Sequence, residues 1–407
     1  MNKTEYDILI VGGGMVGASL ALSLADSGLS IGVIEAVPFR SSGQPSYDDR
    51  AIALAQGTRR IFSAMGVWEV LEGEVTPIRH IHISDRGHFG ATRLDARDHG
   101  VEALGYVVEN RVLGRVLGGR LGSQANVVLW CPAKVENVIL GSEVAEVVIN
   151  TGDARTRLTG KLVVAADGTK SAVRDMLDIG VIRWEYGQTA VISNVTPGRP
   201  HDFRAFERFT DTGPLALLPM GDERCSLVWT VRPGQVDGIM ALGDAAFLAR
   251  LQERFGGRLG RFVKAGQRYA YPLAMVRARE HVRSRFALIG NAAHTLHPVA
   301  GQGFNLGLRD VAVLAQVVFD AARAGQDIGA LETLHAYARW RQKDHLKIIG
   351  FTDGLARIFA NPLAPVRWAR GAGLLALELL PPAKRALARH TMGLAGRLPR
   401  LARGLPL

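Results

Sequence analysis

An apolar run, Ile8 to Val11, leads straight into Gly12-Gly13-Gly14-Met15-Val16-Gly17, and no other feature restricts the fold of this chain so strongly. Glycines spaced Gly-x-Gly-x-x-Gly between a strand pattern and a helix pattern meet three demands of dinucleotide binding. Gly12 permits a tight turn, Gly14 lets the backbone approach a pyrophosphate at a helix N-terminus, and Gly17 allows the helix to pack closely on the strand. Met15 to Ser27 carries a helix pattern that stops at Gly28, and Ser30 to Glu35 reads as a second strand, so the chain opens with a βαβ unit. Glu35 ends that strand 18 residues after Gly17, where a carboxylate can accept hydrogen bonds from both hydroxyls of an adenosine ribose. Glycines, context and acid together predict a dinucleotide site without separating NAD from FAD.

The rest of the chain alternates. Arg50 to Met65 and Arg111 to Leu121 read as helices, and Lys161 to Ala166 and Phe286 to Ile289 as isolated apolar strands before glycine-containing turns. From about 182 to 271 the texture changes to short alternating segments, Thr189 to Val195, Ala205 to Phe209, Leu215 to Leu218 and Ser226 to Val231, which predict an antiparallel sheet. With 407 residues, the chain exceeds what one core usually organises, and 47% hydrophobic against 21% charged residues excludes a disordered or fibrous protein. The expected fold is therefore α/β. A Rossmann-like dinucleotide domain (1–75, 100–181 and 272–345) is interrupted by a β-rich domain for substrate (76–99 and 182–271) and followed by a helical segment, 346–407. The glycines at 114, 118, 119 and 122 do not match the fingerprint and read as a glycine-tolerant helix and its end.

Two further segments choose the cofactor. Asp167-Gly168-Thr169-Lys170-Ser171 follows one strand, with Arg174 nearby; Gly290-Asn291-Ala-Ala-His294 follows another and leads to Pro298-Val-Ala-Gly301-Gln302-Gly303-Phe304-Asn305. In this order and spacing they resemble the flavoprotein aromatic hydroxylases of p-hydroxybenzoate hydroxylase type, where they surround FAD. Gly301 and Gly303 stand just ahead of an apolar helix pattern, Phe304 to Phe319, so amides and helix dipole there can face an anion such as the reduced flavin edge. The resemblance implies that Asp167 and Gly168 lie near the pyrophosphate, that Pro298, Gly301, Gln302, Gly303 and Asn305 lie against the flavin, and that Arg50 and Arg111 sit near it, pairing with phosphate or reaching NADH or NADPH. The family's usual aspartate before Ala-Ala-His is Asn291 here, a neutral amide that still donates and accepts hydrogen bonds.

Asp49-Arg50-Ala-Ile-Ala-Leu, His82-Ile-Ser-Asp85-Arg86-Gly87-His88, Ala205-Phe-Glu207-Arg208-Phe-Thr, Gly213-Pro-Leu-Ala-Leu-Leu-Pro219-Met220 and Cys225-Ser-Leu-Val-Trp229 are similar to the hydroxylases of ubiquinone biosynthesis, and the likeness runs from about residue 5 to Asn361. That resemblance implies a monooxygenase that hydroxylates a polyprenylated methoxyphenol with NAD(P)H and O2 through a flavin C4a-hydroperoxide. A sister hydroxylase acting elsewhere on the ring, a flavin dehydrogenase without oxygen insertion, and an assembly subunit holding FAD as a structural element are the other readings. For a catalytic base the nearest candidate is His297 beside the flavin turn, against a structural role. His80, His82 and His88 are weighed as ligands of an oxygen-activating iron, but no third ligand is indicated, and no metal is expected.

Charge is concentrated. Lys plus Arg is 49 and Asp plus Glu 38, a net +11, and residues 346–407 hold ten basic against two acidic residues, or +8 of it. Apolar runs interleave with these cations without a pattern of base-stacking aromatics, which predicts either a membrane face or a partner enzyme of the same pathway, or a solvated helical cap on the main domain, rather than nucleic acid. No run approaches the roughly 18 apolar residues of a spanning helix. Two cysteines, Cys131 and Cys225, and an N-terminus without a signal-peptide pattern predict a reducing, cytoplasmic setting, with peripheral contact to the inner membrane through the tail.

Overall fold

The computed structural model describes residues 4–38, 50–152, 154–361 and 363–407. Glu5–Val11 is the central strand of an eight-stranded sheet, and its continuous apolar run marks a strand covered on both faces. It pairs in parallel with Arg155–Ala165 on one side (Ile8 with Leu162, Val11 with Ala165) and with Ile31–Ile34 on the other. Val127–Trp130 and Phe286–Leu288 extend the parallel set outward. One face packs on the helices Met15–Ser23, Asn110–Leu121 and Gln302–Arg323 around Ile8, Ile10, Val33, Leu117 and Val311. Two antiparallel strands, Lys134–Leu140 and Ala145–Asn150, close the other face over Leu9, Val163 and Leu288.

The second sheet has nine strands and draws on distant parts of the chain. Val181–Thr196, Cys225–Val231, Gly213–Pro219 and Arg204–Thr210 are adjacent and antiparallel, and Arg204–Thr210 then pairs in parallel with His80–Asp85, beside Ala91–Asp95. Strands within residues 182–271 thus form the expected antiparallel sheet, with the helices Val236–Met240 and Asp244–Phe255 inserted between them, which the alternating pattern did not predict. Tyr269–Ala278 runs past 271 as one strand and pairs with His294–Thr295, so this sheet grips the turn at 294 directly. Alternation divides its faces. Val191, Leu215, Leu217, Leu227 and Trp229 point to the helix Asp244–Phe255, whereas Ile192, Ala216, Leu218 and Val228 face the first sheet's glycine turns across a cavity.

Residues Ala51–Ala55 are a strand and not the start of a helix. The helix begins at Gln56 and ends at Ala64, where the pattern had predicted one continuous helix from Arg50 to Met65. Ala51–Ala55 pairs antiparallel with Gly105–Glu109, and the Asn305 side chain holds Ala53 and Ala55 from the other side, so tertiary pairing overrides local propensity.

The C-terminal segment is helical, but its first helix, Leu331–Ala360, starts before 346. Ala364–Leu379 then lies along the edge strand Ala91–Asp95, with Thr92 Oγ1 donating to Leu374 O (2.7 Å) and Arg93 N–H donating to Glu378 (2.9 Å), which covers an open sheet edge. Pro381–Thr391 completes the cap. Among the described residues no helix is long and apolar enough to cross a membrane.

Candidate active site

A cavity of about 1610 Å³ lies between the two sheets and the C-terminal helices. That exceeds the roughly 300–1,000 Å³ of a site for one small ligand. The N-terminal end is built from the glycine turn. Gly12 has φ +101°, and a Cβ there would lie 2.6 Å from Ala166 O; a Cβ on Gly17 would lie 1.8 Å from Gly12 O. Only glycine at both positions brings turn, helix and neighbouring strand this close. Gly14 caps the Met15–Ser23 helix, so its unpaired amides open onto the cavity. Glu35 is buried; its Oε2 accepts from Gly13 N–H and its Oε1 from Val37 N–H, both at 2.8 Å. These bonds orient a carboxylate with lone pairs to spare for a ribose.

Asp167 Oδ2 accepts from Val173 N–H at 3.1 Å, while its Oδ1 is buried without a protein partner. Burial pushes this carboxyl above its ordinary range, against the pull of Ser171, Val173 and Arg174. A buried oxygen left open in the cavity wall fits a hydroxyl or hydrated phosphate of a bound dinucleotide. Gly168 lines the same end. Two cations also stand there: Lys170, within the Asp167–Ser171 segment but given no role by it, and Lys134, whose only signal is tertiary, its neighbour Ala133 N–H donating to Glu35 O (2.8 Å).

The opposite flank is the turn 290–305. Asn291 is exposed toward the cavity, and Pro298 and Gly303 line it. Gly301, at φ +61°, caps the helix Gln302–Arg323, so this N-terminus faces the cavity too, two positions earlier in the chain than the helix expected from Phe304. Gln302 donates toward Thr391 O (3.4 Å), tying the turn to the C-terminal cap. Asn305 lines the cavity as well, and its amide is bonded within the fold. Its Oδ1 accepts from Ala55 N–H (2.8 Å) and Thr58 Oγ1 (2.7 Å), and its Nδ2 donates to Ala53 O and Gly301 O (2.8 Å each), so the amide is consumed in shaping the turn.

The turn is anchored from behind by a buried network that sequence reasoning missed. Asp310 accepts from His294 (2.6 Å), His345 (2.7 Å), Arg341 (2.7 Å) and Gly290 N–H (3.2 Å). Burial alone would raise its carboxyl, but His345, His294 and Arg341 outweigh that and hold it well below the usual carboxylate range. Asp310 and His345 are 35 residues apart on two helices, and only their packing brings them together. His294, Asp310 and His345 have a spacing compatible with a metal ion, yet the carboxylate is already bonded to both rings and to a guanidinium, which is a structural ion cluster.

The remaining candidates separate. Arg50 lines the cavity with its guanidinium 5.0 Å from the Tyr271 ring; Asp49 lies outside the described residues. Arg111 is exposed and paired with Glu109 (2.5 Å), and among the described residues the cavity wall does not include it. His297 is fully buried: Val299 N–H donates to its Nδ1 (3.2 Å), so Nε2 carries the proton toward Gln188 Oε1 (3.2 Å). Burial lowers its pKa to about 4, and both ring nitrogens are engaged within the protein, the arrangement of a structural histidine. His82 is buried against Phe206 and His80 pairs with Asp95 (3.2 Å), so the two do not converge on a common ligand.

Comparison with known proteins matches this geometry. Residues 5–345 match the family described as FAD binding domain. The chain is 41% identical to the ubiquinone hydroxylase UbiL of Rhodospirillum rubrum over 98% of this chain and 93% of that protein. It is 33% identical to the 3-demethoxyubiquinol 3-hydroxylase of Escherichia coli K12 over 97% and 100%. In fold it is similar to p-nitrophenol 4-monooxygenase PnpA of Pseudomonas putida DLL-E4, with a TM-score of 0.80, 19% identity, and 97% and 100% of the two chains covered.

Proposed function

Because the chain belongs to the FAD binding domain family and is a flavin-dependent aromatic hydroxylase, we propose that it hydroxylates the ring of a polyprenylated methoxyphenol in ubiquinone biosynthesis, using NADH or NADPH and O2. The observation that carries the reading is the continuity of the cavity: one end is walled by Gly12, Gly14, Glu35 and Asp167, the other by Ile81, Phe209, Leu218, Leu355 and Leu374. FAD bound at the first end supplies hydride acceptance from the nicotinamide and transfer of oxygen from O2 to the ring. The Met15–Ser23 helix end and its glycines hold the pyrophosphate, and Glu35 the ribose. The Gln302–Arg323 helix N-terminus stabilises negative charge on the flavin edge, and Asn291 offers a neutral amide to its side chain. Aliphatic and aromatic walls exclude water from the reacting ring and accept the first prenyl units.

The test is a single turnover. FAD-loaded protein is reduced anaerobically in the presence of a short-tailed 2-prenyl-6-methoxyphenol, mixed with O2, and the product identified by mass spectrometry. One added oxygen per flavin is expected. One relative is a 3-demethoxyubiquinol 3-hydroxylase, so a hydroxylated product from a demethoxyquinol and none from the methoxyphenol assigns the sister reaction. Oxidised flavin with no oxygenated product from either overturns the reading.

A prenyl tail must leave the bilayer to reach this cavity, and the Ala364–Leu379 helix is suited to that passage. Its inner face, Val366, Ala369, Gly373, Leu374 and Leu377, lines the cavity, while Trp368, Leu375 and Leu379 are exposed on the outer face at helical spacing, with Leu363 and Leu380 at its ends. Exposed Arg367, Arg385 and Arg389 flank this apolar strip. Apolar side chains rimmed by cations match an anionic bilayer surface. Leu375→Glu combined with Leu379→Glu is expected to cut flotation with phosphatidylglycerol-containing vesicles at least about tenfold, with flavin content and turnover of a soluble short-tailed phenol unchanged. Equal flotation of wild type and variant would overturn membrane contact through this helix.

A further inference from the structure

The outer face of the nine-stranded sheet, turned away from the cavity, gathers cations around one buried ring. Ile81 and Ile83 line the cavity, so alternation along His80–Asp85 sends His82 to the opposite face. In register, His82 stands opposite Arg93 on one side and Phe206 on the other. Arg204 and Arg208, two residues before and after Phe206, take the diagonal positions that long side chains reach. Arg258, just past the helix Asp244–Phe255, brings the fourth guanidinium whose charge acts on the ring. His82 is 5% exposed, and its Nε2 is buried without a hydrogen-bond partner. Among the described residues Arg204, Arg208 and Arg258 form no ion pair and no side-chain hydrogen bond. Asp85, the carboxylate that pulls on Arg208, is already paired with Arg370 (3.1 Å).

Like charges grouped over a desolvated imidazole repel one another, and an anion set among them relieves that repulsion. Burial and then the four arginine charges lower the His82 pKa to about 4, so the ring is neutral and able to present Nε2–H as a donor. Guanidinium forks match the oxygens of a phosphate, and the imidazole adds a further donor beneath them. The neighbourhood narrows the choice of anion. Arg93 joins the cations to the last turn of the Ala364–Leu379 helix, its N–H donating to Glu378 (2.9 Å) and its guanidinium standing 3.6 Å from the same carboxylate. The exposed Leu379 and Leu380 follow directly. We propose that Arg93, Arg204, Arg208, Arg258 and His82 bind the phosphate headgroup of an anionic phospholipid, beside the apolar strip assigned above to the bilayer; the assignment rests on membrane docking at this end of the molecule. The strip meets the acyl chains and the arginines meet the headgroup, and two such contacts fix how the protein lies on the membrane.

The test uses the FAD-loaded full chain with phosphatidylcholine vesicles, with and without phosphatidylglycerol, and with inorganic phosphate. Arg204→Gln combined with Arg208→Gln removes two guanidiniums that pair with nothing in the fold, so flavin content and melting temperature should match wild type. We expect this variant to lose phosphatidylglycerol-dependent flotation at least about tenfold. Arg155→Gln combined with Arg157→Gln, two exposed arginines of the other sheet paired with Glu136 and Glu146, should change it less than about twofold. The His82 ring reports on the site itself. Its resonances, assigned with His82→Gln, should shift saturably with monodisperse dihexanoyl phosphatidylglycerol in wild type and not in the arginine variant. Equal flotation of wild type and arginine variant overturns the assignment, whether or not the variant loses affinity for polyglutamate, the sign of an acidic protein partner. Inorganic phosphate that saturates the His82 shift while leaving flotation unchanged makes the site one for free phosphate and overturns it too. Flotation lost in the Leu375→Glu, Leu379→Glu variant alone overturns this site and keeps the helix contact; flotation lost in the arginine variant alone does the reverse; a wild type that never floats overturns both.

Discussion

Gly17→Ala is expected to yield protein that is purified largely without flavin. The added methyl would lie 1.8 Å from Gly12 O, a backbone atom that cannot move without carrying the turn with it. Gly12 has no room either, since its own Cβ position is 2.6 Å from Ala166 O. The strain therefore falls on the loop that must meet the pyrophosphate. Overpacking of this kind typically costs about 1–3 kcal/mol, and if it is relieved by opening the turn, flavin affinity falls by roughly ten- to a hundredfold. The ratio of flavin to protein absorbance reads this directly. Gly119→Ala is the comparison: its Cβ meets nothing within 4 Å on the Asn110–Leu121 helix, and it should keep full flavin and gain up to about 1 kcal/mol in stability. Full flavin content in Gly17→Ala would mean that the turn does not contact the cofactor.

Mild acid should destabilise this protein well before its carboxylates protonate. Burial lowers five histidines, among them His82, His281 and His297 to about 4 and His345 to about 3; His390 moves in the same direction. In the unfolded chain each titrates near 6.5. Between those values the unfolded state binds protons that the folded state refuses, so stability falls as the pH drops below about 6.5 and continues to fall until the folded-state values are reached. Each histidine contributes up to about 1.4 kcal/mol per pH unit in that window, and the first four together remove several kcal/mol by about pH 5 from a total of roughly 5–15 kcal/mol. A drop in Tm on the order of 10 °C between pH 7.5 and 5 is expected. Asp310, held low by its cluster, adds its share only at still lower pH, since its contribution is present above the unfolded carboxylate value and lost as pH falls through the folded one. A flat Tm across pH 7.5 to 5 would show that these rings are solvated or already charged in the fold.

The same histidines show where reading along the chain stops. His297 was singled out because it follows the Ala-Ala-His turn, yet among the described residues the cavity wall does not include it, and its ring is closed by Gln188, 109 residues earlier. Arg111 stands in the first turn of the Asn110–Leu121 helix and pairs with Glu109. The cross-strand row of Ile83, Glu207 and Ala216 is set by register, which alternation alone does not reveal because several strands could have been neighbours.

What the amino-acid order determined by itself is whatever depends on short-range backbone chemistry. The βαβ opening, the glycine turn, Glu35, the Asp167-Gly168 turn and the helix behind Gly301 all rest on local requirements for positive φ, close approach or helix ends, and these are visible within a few residues. Only the tertiary structure decided which distant groups converge. Ala51–Ala55 became a strand because Gly105–Glu109 and Asn305 took its backbone groups. Asp310 became the hub of a buried cluster because the Gln302–Arg323 and Leu331–Ala360 helices pack together, and the C-terminal cations settled as an edge-covering cap with an apolar outer strip. The physical reason is common to all three: a hydrogen bond or buried contact between residues far apart in sequence leaves no local period, and its energy exists only once the chain has folded around it.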